Sequence, residues 1–269
     1  MSEHAPIFVF VPGLGGFDRM RFPGGSVGYF RGIEDELKRQ GVAALFPPQR
    51  PFATVAERAE FLARNLSRLP NDRIFLIAHS MGGLDCRYFI HHLDGHHRAR
   101  VLATIGTPHR GTPLADWVLE TRGPVQWLGR AVMRAALEDL TVEACERFNR
   151  SVPDRADVRY LSYAGVRTIE ETVGSLRPWV RLIGEKAGDN DSQVPLSSAT
   201  WGTLKGVLRA DHFELAGWSF GARNEQFQRP FDHMAFYRRL VNDLSAYDQN
   251  NTVQPDTTGI TVADRTALR

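Results

Sequence analysis

A serine framed by small residues stands between a strand-like apolar run and a helix-like run of the sequence. The segment Ala78-His-Ser-Met-Gly-Gly83 matches the pattern G-x-S-x-G, with alanine at the first small position. Such a serine occupies a sharp, strained turn that lifts its hydroxyl out of the sheet edge. The free N–H groups of a helix beginning at Met81 would face the same point and stabilise negative charge. The segment predicts attack by Ser80 on a carbonyl carbon, with the Met81 N–H binding the oxyanion; an incidental serine in a strand–turn–helix is the alternative.

A glycine-rich loop, Val11-Pro-Gly-Leu-Gly-Gly16, follows the first predicted strand. Around this kind of serine turn, the second oxyanion donor is a backbone N–H from such a loop, and Leu14 is the candidate. A flexible glycine turn without a role is the alternative. A dinucleotide site is disfavoured, because the G-x-G-x-x-G spacing is missing and no acidic residue ends the second predicted strand.

A histidine late in the chain is the candidate base for Ser80. A serine hydroxyl is a weak nucleophile near neutral pH, so it needs a base within hydrogen-bond reach and a carboxylate that orients the base. The chain order around this turn is Ser, acid, His, and His212 lies on a predicted loop, Arg209-Ala-Asp-His-Phe-Glu214. His233 is the rival, but it begins a predicted helix. The remaining histidines are given lesser roles: His109 as a pocket-lining residue, His79 as a packed structural residue, and His91, His92, His96 and His97 as a solvated helix end rather than a metal site.

The candidate acid lies in the polar loop Gly188-Asp-Asn-Asp-Ser-Gln-Val-Pro195. Asp191 is the preferred residue, but residue type alone does not separate it from Asp189. A single aspartate in such a loop is more often a turn residue than a catalytic group.

Strands alternate with helices along most of the chain, and this alternation predicts an α/β fold with a mostly parallel sheet covered by helices on both faces. Thr54 and Glu57 form a capping-box pattern at the start of one helix. The predicted strands are 7–11, 42–46, 74–78, 101–105 and 158–163, and the predicted helices are 28–39, 54–69, 84–93 and 234–244.

The segment 114–150 interrupts this alternation. Its apolar residues have helical spacing, and it is too long for a plain connection. It is either an ordinary pair of packing helices or a mobile cap over a pocket. Trp117, Trp127 and Leu128 would line an apolar pocket mouth in the second case and belong to the core in the first.

Composition and charge narrow the class of protein. The chain has 269 residues, 42% hydrophobic and 24% charged, with a formal net charge of +2. These values predict one soluble α/β domain over residues 1–248, followed by a polar, poorly ordered tail at 249–269. No long basic run indicates a nucleic-acid partner, and no apolar run approaches the ~20 residues of a membrane span. No leader pattern precedes the first strand, so a cytoplasmic protein is expected; a mature secreted form given a new start methionine is the alternative.

The motifs together resemble those of the bacterial triacylglycerol lipases of the Pseudomonas type, which have the α/β-hydrolase fold. The resemblance covers the chain to about residue 245 and rests on the segments 11–17, 78–83, 106–111, 190–195, 197–198, 201–202 and 211–214. It implies that Asp191 rather than Asp189 is the acid, that His212 is the base, and that Leu14 and Met81 donate to the oxyanion. It also implies a short helical lid within 114–150.

Two departures from the family pattern concern polar support of the site. The family has histidine where this chain has Pro12, which changes the support of the oxyanion loop without removing a backbone donor. The family often holds a structural calcium through an aspartate two residues after the catalytic histidine, where this chain has Glu214. Glutamate can bind calcium, but the sequence offers no convincing second ligand, so neither a metal nor any other cofactor is expected.

These inferences predict a serine carboxylic-ester hydrolase, a lipase or esterase acting on a small-molecule acyl ester or lipid without stable membrane insertion. A cytoplasmic enzyme would meet soluble acyl esters rather than bulk fat. A thioesterase, an acyltransferase or a polyester depolymerase with the same triad is the alternative within catalysis. A non-catalytic binding protein of the same fold would be expected to have lost one of the three triad residues.

Overall fold

The computed structural model describes residues 5–16, 19–22, 25–69, 73–220 and 231–252. Its strands are β1 (Ile7–Val11), β2 (Arg19–Phe22), β3 (Gly25–Gly28), β4 (Ala44–Leu45), β5 (Ile74–His79), β6 (Ala99–Ile105), β7 (Arg159–Gly165) and β8 (Thr203–Leu208). Its helices are α1 (Ile33–Arg39), α2 (Val55–Leu66), α3 (Gly82–Tyr88), α4 (Pro113–Glu120), α5 (Pro124–Asp139), α6 (Val142–Ser151), α7 (Arg177–Ala187), α8 (Leu196–Ala199) and α9 (His233–Thr252). A π-helical turn at Phe89–Leu93 continues α3, and a 3₁₀ turn spans Glu214–Ala216.

Six of the described strands form one parallel sheet in the order β4-β1-β5-β6-β7-β8, and β2 and β3 form a separate antiparallel hairpin. The ladder between β1 and β5 runs from Ile7 opposite Ile74 to Val11 opposite Ala78. Every residue of β5 is buried, as expected for a central parallel strand covered on both faces. The strands end at one edge of the sheet, the edge at which ligands bind in open α/β sheets.

Helices pack on both faces of this sheet, as predicted. On one face Phe10, Phe75 and Ile77 pack against Leu37 of α1 and Leu240 of α9. The opposite face is formed by a second cluster that includes Val9, Leu76, Leu62, Leu66, Cys86 and Phe89, in which the last four come from α2, α3 and the turn after α3.

The predicted capping box is present at the start of α2. The Thr54 hydroxyl accepts a hydrogen bond from the Glu57 backbone N–H, and the Glu57 carboxylate accepts one from the Thr54 backbone N–H. This exchange satisfies two of the backbone donors that a helix start leaves free.

The segment 113–151 folds into helices α4, α5 and α6. Leu137 of α5, Leu140 directly after α5 and Cys145 of α6 pack on Met81 and Leu84, at the start of α3. The insertion therefore lies directly over the turn that carries Ser80. Its predicted helical character is confirmed, and it forms three helices rather than the pair that one of the two alternatives expected.

Other elements differ from the sequence-based expectation. The β2–β3 hairpin and the elements α7, α8 and β8 were not predicted. The strands β2, β3 and β8 and the helix α8 are short and have no clear apolar period, whereas α7 has apolar residues at helical spacing, including the buried Val180 and Ile183, that sequence reasoning missed. The C-terminal helix α9 extends to Thr252, past residue 249, at which the polar tail was expected to begin. The rest of that tail, residues 253–269, lies outside the described residues. Within the described residues, no helix is long and apolar enough to cross a membrane.

Candidate active site

Ser80 lies in the turn between β5 and α3, at the carboxyl edge of the sheet. Its φ of 56° is in the left-handed region, which L-residues with a side chain adopt only under constraint. The surroundings are tight enough to require small neighbours. A Cβ added to Gly13 would lie 2.5 Å from the Ser80 Cβ, and one added to Gly82 would lie 2.7 Å from the Pro12 carbonyl oxygen.

The structure brings together the three residues predicted to form a triad. His212 Nε2 lies 2.9 Å from Ser80 Oγ, and His212 Nδ1 lies 2.8 Å from Asp191 Oδ2. All three side chains are buried. Because a carboxylate only accepts, Nδ1 carries the proton of a neutral imidazole and Nε2 accepts from the serine hydroxyl. This is the arrangement in which an imidazole can take a proton from serine.

The loop after α7 orients Asp191 through its own backbone. Asp191 Oδ1 accepts from the N–H groups of Gln193 at 3.0 Å and Val194 at 2.7 Å, which leaves Oδ2 for His212. The Asp191 carbonyl also accepts from the His212 N–H at 2.7 Å. Asp189 is exposed and contributes its backbone carbonyl to Leu196 instead. The geometry therefore favours Asp191 over Asp189 as the partner of His212, a choice that residue type alone left open.

The other candidate histidines do not reach Ser80 Oγ. His233 is at the start of α9, where its Nε2 lies 2.9 Å from the Arg31 carbonyl oxygen. His109 is buried, bonded to the Thr104 hydroxyl and stacked on Trp201. His79 is buried next to the site and contacts the backbone of His212 rather than its imidazole nitrogens.

Two backbone N–H groups remain available near Ser80 Oγ. In the glycine loop, the Gly15 N–H donates to Pro51 and the Gly16 N–H donates to Gly13. Neither the Leu14 N–H nor the Met81 N–H is bonded to an acceptor in the described part of the chain. Both predicted oxyanion donors therefore flank the serine turn without an internal partner.

A fully buried arginine supports the glycine loop, and sequence reasoning missed it. Arg58 Nη2 donates to the carbonyl oxygens of Pro12 at 2.8 Å and Gly13 at 3.0 Å, and Arg58 Nε donates to Asp85 at 2.9 Å. Burial raises the pKa of Asp85 to about 6, an effect that the Arg58 charge opposes. The available signal was a charged residue on the apolar stripe of α2, next to Ala59. Arg58 thus supplies polar support to the loop that carries Pro12.

The residues around Glu214 do not fit a calcium ion. Arg167 donates to both Glu214 carboxylate oxygens, at 2.9 and 3.0 Å, and the Asp211 backbone N–H donates to Oε2 at 2.9 Å. A guanidinium therefore already occupies the carboxylate face that a cation would need. Among the described residues, no group of three or more His, Cys, Asp or Glu side chains is arranged to hold a metal ion.

A mostly apolar cavity of about 620 Å³ opens over Ser80 and His212. It lies between the sheet edge and the helical insertion, and its wall includes Leu14, Tyr29, Phe52, Leu114, Trp117, Val118, Met133, Leu137, Trp179, Phe213, Trp218 and Phe220. Trp117 thus lines the cavity, as one sequence interpretation had it. Trp127 is outside this wall and 65% exposed, whereas the side chain of Leu128 lies outside the described residues.

Comparison with solved structures shows which fold this is. Superposition on the lipase of Staphylococcus hyicus gives a TM-score of 0.71, covering 93% of this chain and 98% of that one at 16% identity. The mature Bacillus licheniformis lipase BlEst2 gives a TM-score of 0.62, covering 80% of this chain and 88% of that one at 21% identity. The metagenomic carboxyl esterase MGS0156 gives a TM-score of 0.63, covering 78% of this chain and 65% of that one at 24% identity. The protein has the α/β-hydrolase fold.

Comparison of sequences adds a relative of higher identity. The chain is 28% identical over 242 residues to triacylglycerol lipase 2 of Saccharomyces cerevisiae. The alignment covers 82% of this chain and 74% of the yeast protein. No protein-family model matches the chain. The chain is therefore related to a lipase by sequence and shares the fold of lipases and esterases. The finer resemblance to the Pseudomonas type stays a prediction.

Proposed function

We propose that the protein is a serine carboxylic-ester hydrolase in which Ser80, His212 and Asp191 form the catalytic triad. The observation that carries the proposal is the continuous hydrogen-bonded chain from Asp191 Oδ2 through His212 to Ser80 Oγ. It lies at the base of an apolar cavity. Three side chains in this geometry activate a serine on several unrelated folds.

The reaction begins when Ser80 Oγ attacks the ester carbonyl carbon and its proton passes to His212 Nε2. Asp191 holds the imidazole in the required tautomer and stabilises the imidazolium that forms. His212 then gives the proton to the leaving alcohol, and the acyl group stays on Ser80. Water, deprotonated by His212, attacks the acyl-enzyme and releases the acid. No step requires a cofactor.

The N–H groups of Leu14 and Met81 are the proposed oxyanion donors. They belong to different elements, the glycine loop and the start of α3, so the spacing between them depends on how those elements pack. Preorganised donors of this kind act in a water-poor site where they need no reorganisation, and losing one typically costs 10²–10³ in kcat.

The substrate proposed for the cavity is an acyl ester with an apolar chain. A space of about 620 Å³ with an aromatic and aliphatic wall is in the size range of small-molecule sites. Helices α4 and α5 form one side of it, and we propose that they act, together with α6, as a lid. The name of the yeast relative supports a lipid ester.

The deciding experiment measures hydrolysis of p-nitrophenyl esters of increasing chain length by the wild type and by Ser80→Ala. Wild-type hydrolysis and a fall in kcat on the order of 10⁶ in the variant are expected. The exposed Ser175 gives the matched control, Ser175→Ala, which should retain full activity. Equal hydrolysis by wild type and Ser80→Ala would refute the assignment.

A wild type that is folded but inactive on every ester would overturn the hydrolase proposal. Thioester cleavage, or acyl transfer to an added alcohol, would then identify one of the alternative activities of the same triad. Labelling of Ser80 by a fluorophosphonate, read by mass spectrometry, reports nucleophile activation without any assumption about the substrate.

A further inference from the structure

A second histidine, His79, is buried against the triad and takes no part in the proposed proton transfers. Its Nε2 lies 3.0 Å from the backbone carbonyl oxygen of His212, and its Nδ1 lies 2.7 Å from the Tyr29 hydroxyl. The His79 and His212 ring centroids are 4.7 Å apart. His79 therefore connects the backbone of the proposed base to a tyrosine that lines the cavity.

The direction of each hydrogen bond follows from its acceptor. A carbonyl oxygen can only accept, so His79 Nε2 carries the proton and donates to His212. Nδ1 of the same ring is then a lone-pair acceptor, and the Tyr29 hydroxyl donates to it. Burial lowers the pKa of His79 well below its usual value, and the nearby His212 charge lowers it further. The ring therefore stays neutral when His212 becomes positively charged.

The Tyr29 hydroxyl also lies against the glycine loop. Burial raises the pKa of Tyr29 to about 12, and the Gly13 backbone works against this rise. Gly13 is packed closely enough that a Cβ there would lie 2.9 Å from the Tyr29 hydroxyl oxygen.

These contacts form one continuous chain from the loop of one proposed oxyanion donor to the backbone of the proposed base. Tyr29 packs against Gly13 and donates to His79, and His79 donates to the His212 carbonyl. Gly13 directly precedes Leu14. The loop of Leu14 follows β1 and the loop of His212 follows β8, so their spacing is not set by any short stretch of chain.

We propose that Tyr29 and His79 are positioning residues, which hold the Leu14 amide and the His212 imidazole at a fixed separation around Ser80. The inference rests on the proposed function, because it matters only if Ser80 and His212 act on an acyl group. Displacement of a reacting group by about 1 Å can cost 10²-fold in rate. The chain would therefore affect the chemical step more than substrate binding.

The first test is Tyr29→Phe, which removes the hydroxyl and keeps the ring in the cavity wall. For a p-nitrophenyl ester that the wild type hydrolyses, kcat should fall by about 10- to 100-fold while KM changes by less than about twofold. Tyr160→Phe is the matched control. Its hydroxyl accepts a single backbone hydrogen bond, from Arg155, at the opposite end of the sheet, so its kcat should equal that of the wild type.

The second test compares His79→Gln with His79→Asn. The glutamine amide is long enough to donate to the His212 carbonyl through its nitrogen and to accept from Tyr29 through its oxygen. Asparagine is too short to reach the His212 carbonyl, so only His79→Gln can keep the chain connected. His79→Gln should therefore retain at least about tenfold more kcat than His79→Asn, on the scale of a lost positioning bond. A purely structural role would lower the melting temperature of both variants and leave their kcat values alike.

The third test asks whether the two residues act through one chain. The double variant Tyr29→Phe/His79→Asn should lose little more kcat than His79→Asn alone, because one break already disconnects the chain. Fully additive losses would mean that the two residues act independently, and the inference would fail.

These outcomes separate the inference from the proposed function. If the wild type hydrolyses esters and Tyr29→Phe is folded with kcat within about twofold of it, the positioning role is wrong and the hydrolase proposal stands. A rise in KM alone would make Tyr29 a substrate contact rather than a positioning residue. If the wild type cleaves no ester, the rate at which a fluorophosphonate labels Ser80 in each variant provides the same comparison.

Discussion

Ser80 is held in its strained conformation by hydrogen bonds on both sides of the residue. Its N–H donates to the Ile105 carbonyl at 3.0 Å, and its carbonyl accepts from the Thr107 hydroxyl at 2.8 Å and from the Gly83 N–H at 3.0 Å. A positive φ at a residue with a side chain costs of order 1–3 kcal/mol, and it persists only where the surroundings over-determine it. Here the partners come from β6, the segment after it and α3, so the orientation of the hydroxyl towards His212 is a property of the whole sheet edge.

Asp211, the neighbour of His212, gives a prediction about stability and pH. Burial raises its pKa to about 6, and the charges of Glu214 and Asp191 act in the same direction. Because the pKa is higher in the folded state than the usual 3.8, the protonated form stabilises the fold. That contribution is fully present below about pH 4 and is lost as the pH rises through about 6.

Asp211→Asn mimics the protonated form, and its amide oxygen can still accept from the Phe213 and Glu214 N–H groups. At pH 7.5 the variant should be more stable than the wild type, by about 3 kcal/mol at most, and the difference should vanish near pH 4. Thermal melts of both proteins across this range measure it. Asp189→Asn, at an exposed carboxylate, should show no such pH-dependent difference; an Asp211→Asn protein less stable at pH 7.5 would contradict the argument.

At the scale of elements, the Arg58–Asp85 pair joins α2, α3 and the glycine loop. Both side chains are fully buried, with 2.8 Å between Arg58 Nη2 and Asp85 Oδ2. Removing one partner of such a pair strands a buried charge and costs about 3–5 kcal/mol, whereas replacing both by apolar residues is often neutral. Arg58→Met should therefore be strongly destabilised, and Arg58→Met/Asp85→Leu should recover most of the stability.

The same double variant should not recover activity. It leaves the Pro12 and Gly13 carbonyls without the Arg58 guanidinium that fixes the loop before Leu14, so kcat should stay about 10²-fold low. Melting temperature and kcat, measured on both variants, separate the two effects. Arg64→Met, at an exposed arginine on the same helix, is the control. Recovery of both stability and kcat in the double variant would show that Arg58 does nothing for the loop.

Local sequence patterns predicted the elements that are determined by residues close together in the sequence. The run from Ile74 to Gly83 combines a buried strand, small residues and a helix start in a short stretch, and the structure has all three there. Strand β8 was not predicted, since its sequence TLKGVL contains lysine and glycine and its place depends on pairing with β7. Arg58 was missed as a supporting residue, and His79 was given only a packed structural role, because their partners are distant in sequence and meet only in the folded sheet.

At the scale of the whole molecule, the cavity is bounded by two parts of the structure, the edge of the parallel sheet and the helical insertion. The sheet edge provides Ser80 and His212, and the insertion provides the wall of Leu114, Met133 and Leu137. The insertion packs on the start of α3 through its own apolar cluster. Changes in the wall should therefore alter which substrate fits without altering the triad.

Met133→Trp tests this separation of substrate choice from chemistry. The larger side chain reduces the space available to an acyl chain, and each methylene that no longer fits is worth about 1–3 kcal/mol of discrimination. Relative to the wild type, kcat/KM for p-nitrophenyl laurate should fall by more than about tenfold, while that for the butyrate stays within about twofold. Val132→Trp is the control on the same helix, since Val132 is 51% exposed and outside the cavity wall. An equal loss on both esters would mean that the substitution disturbs Ser80 or His212, and that the insertion and the triad are not independent parts.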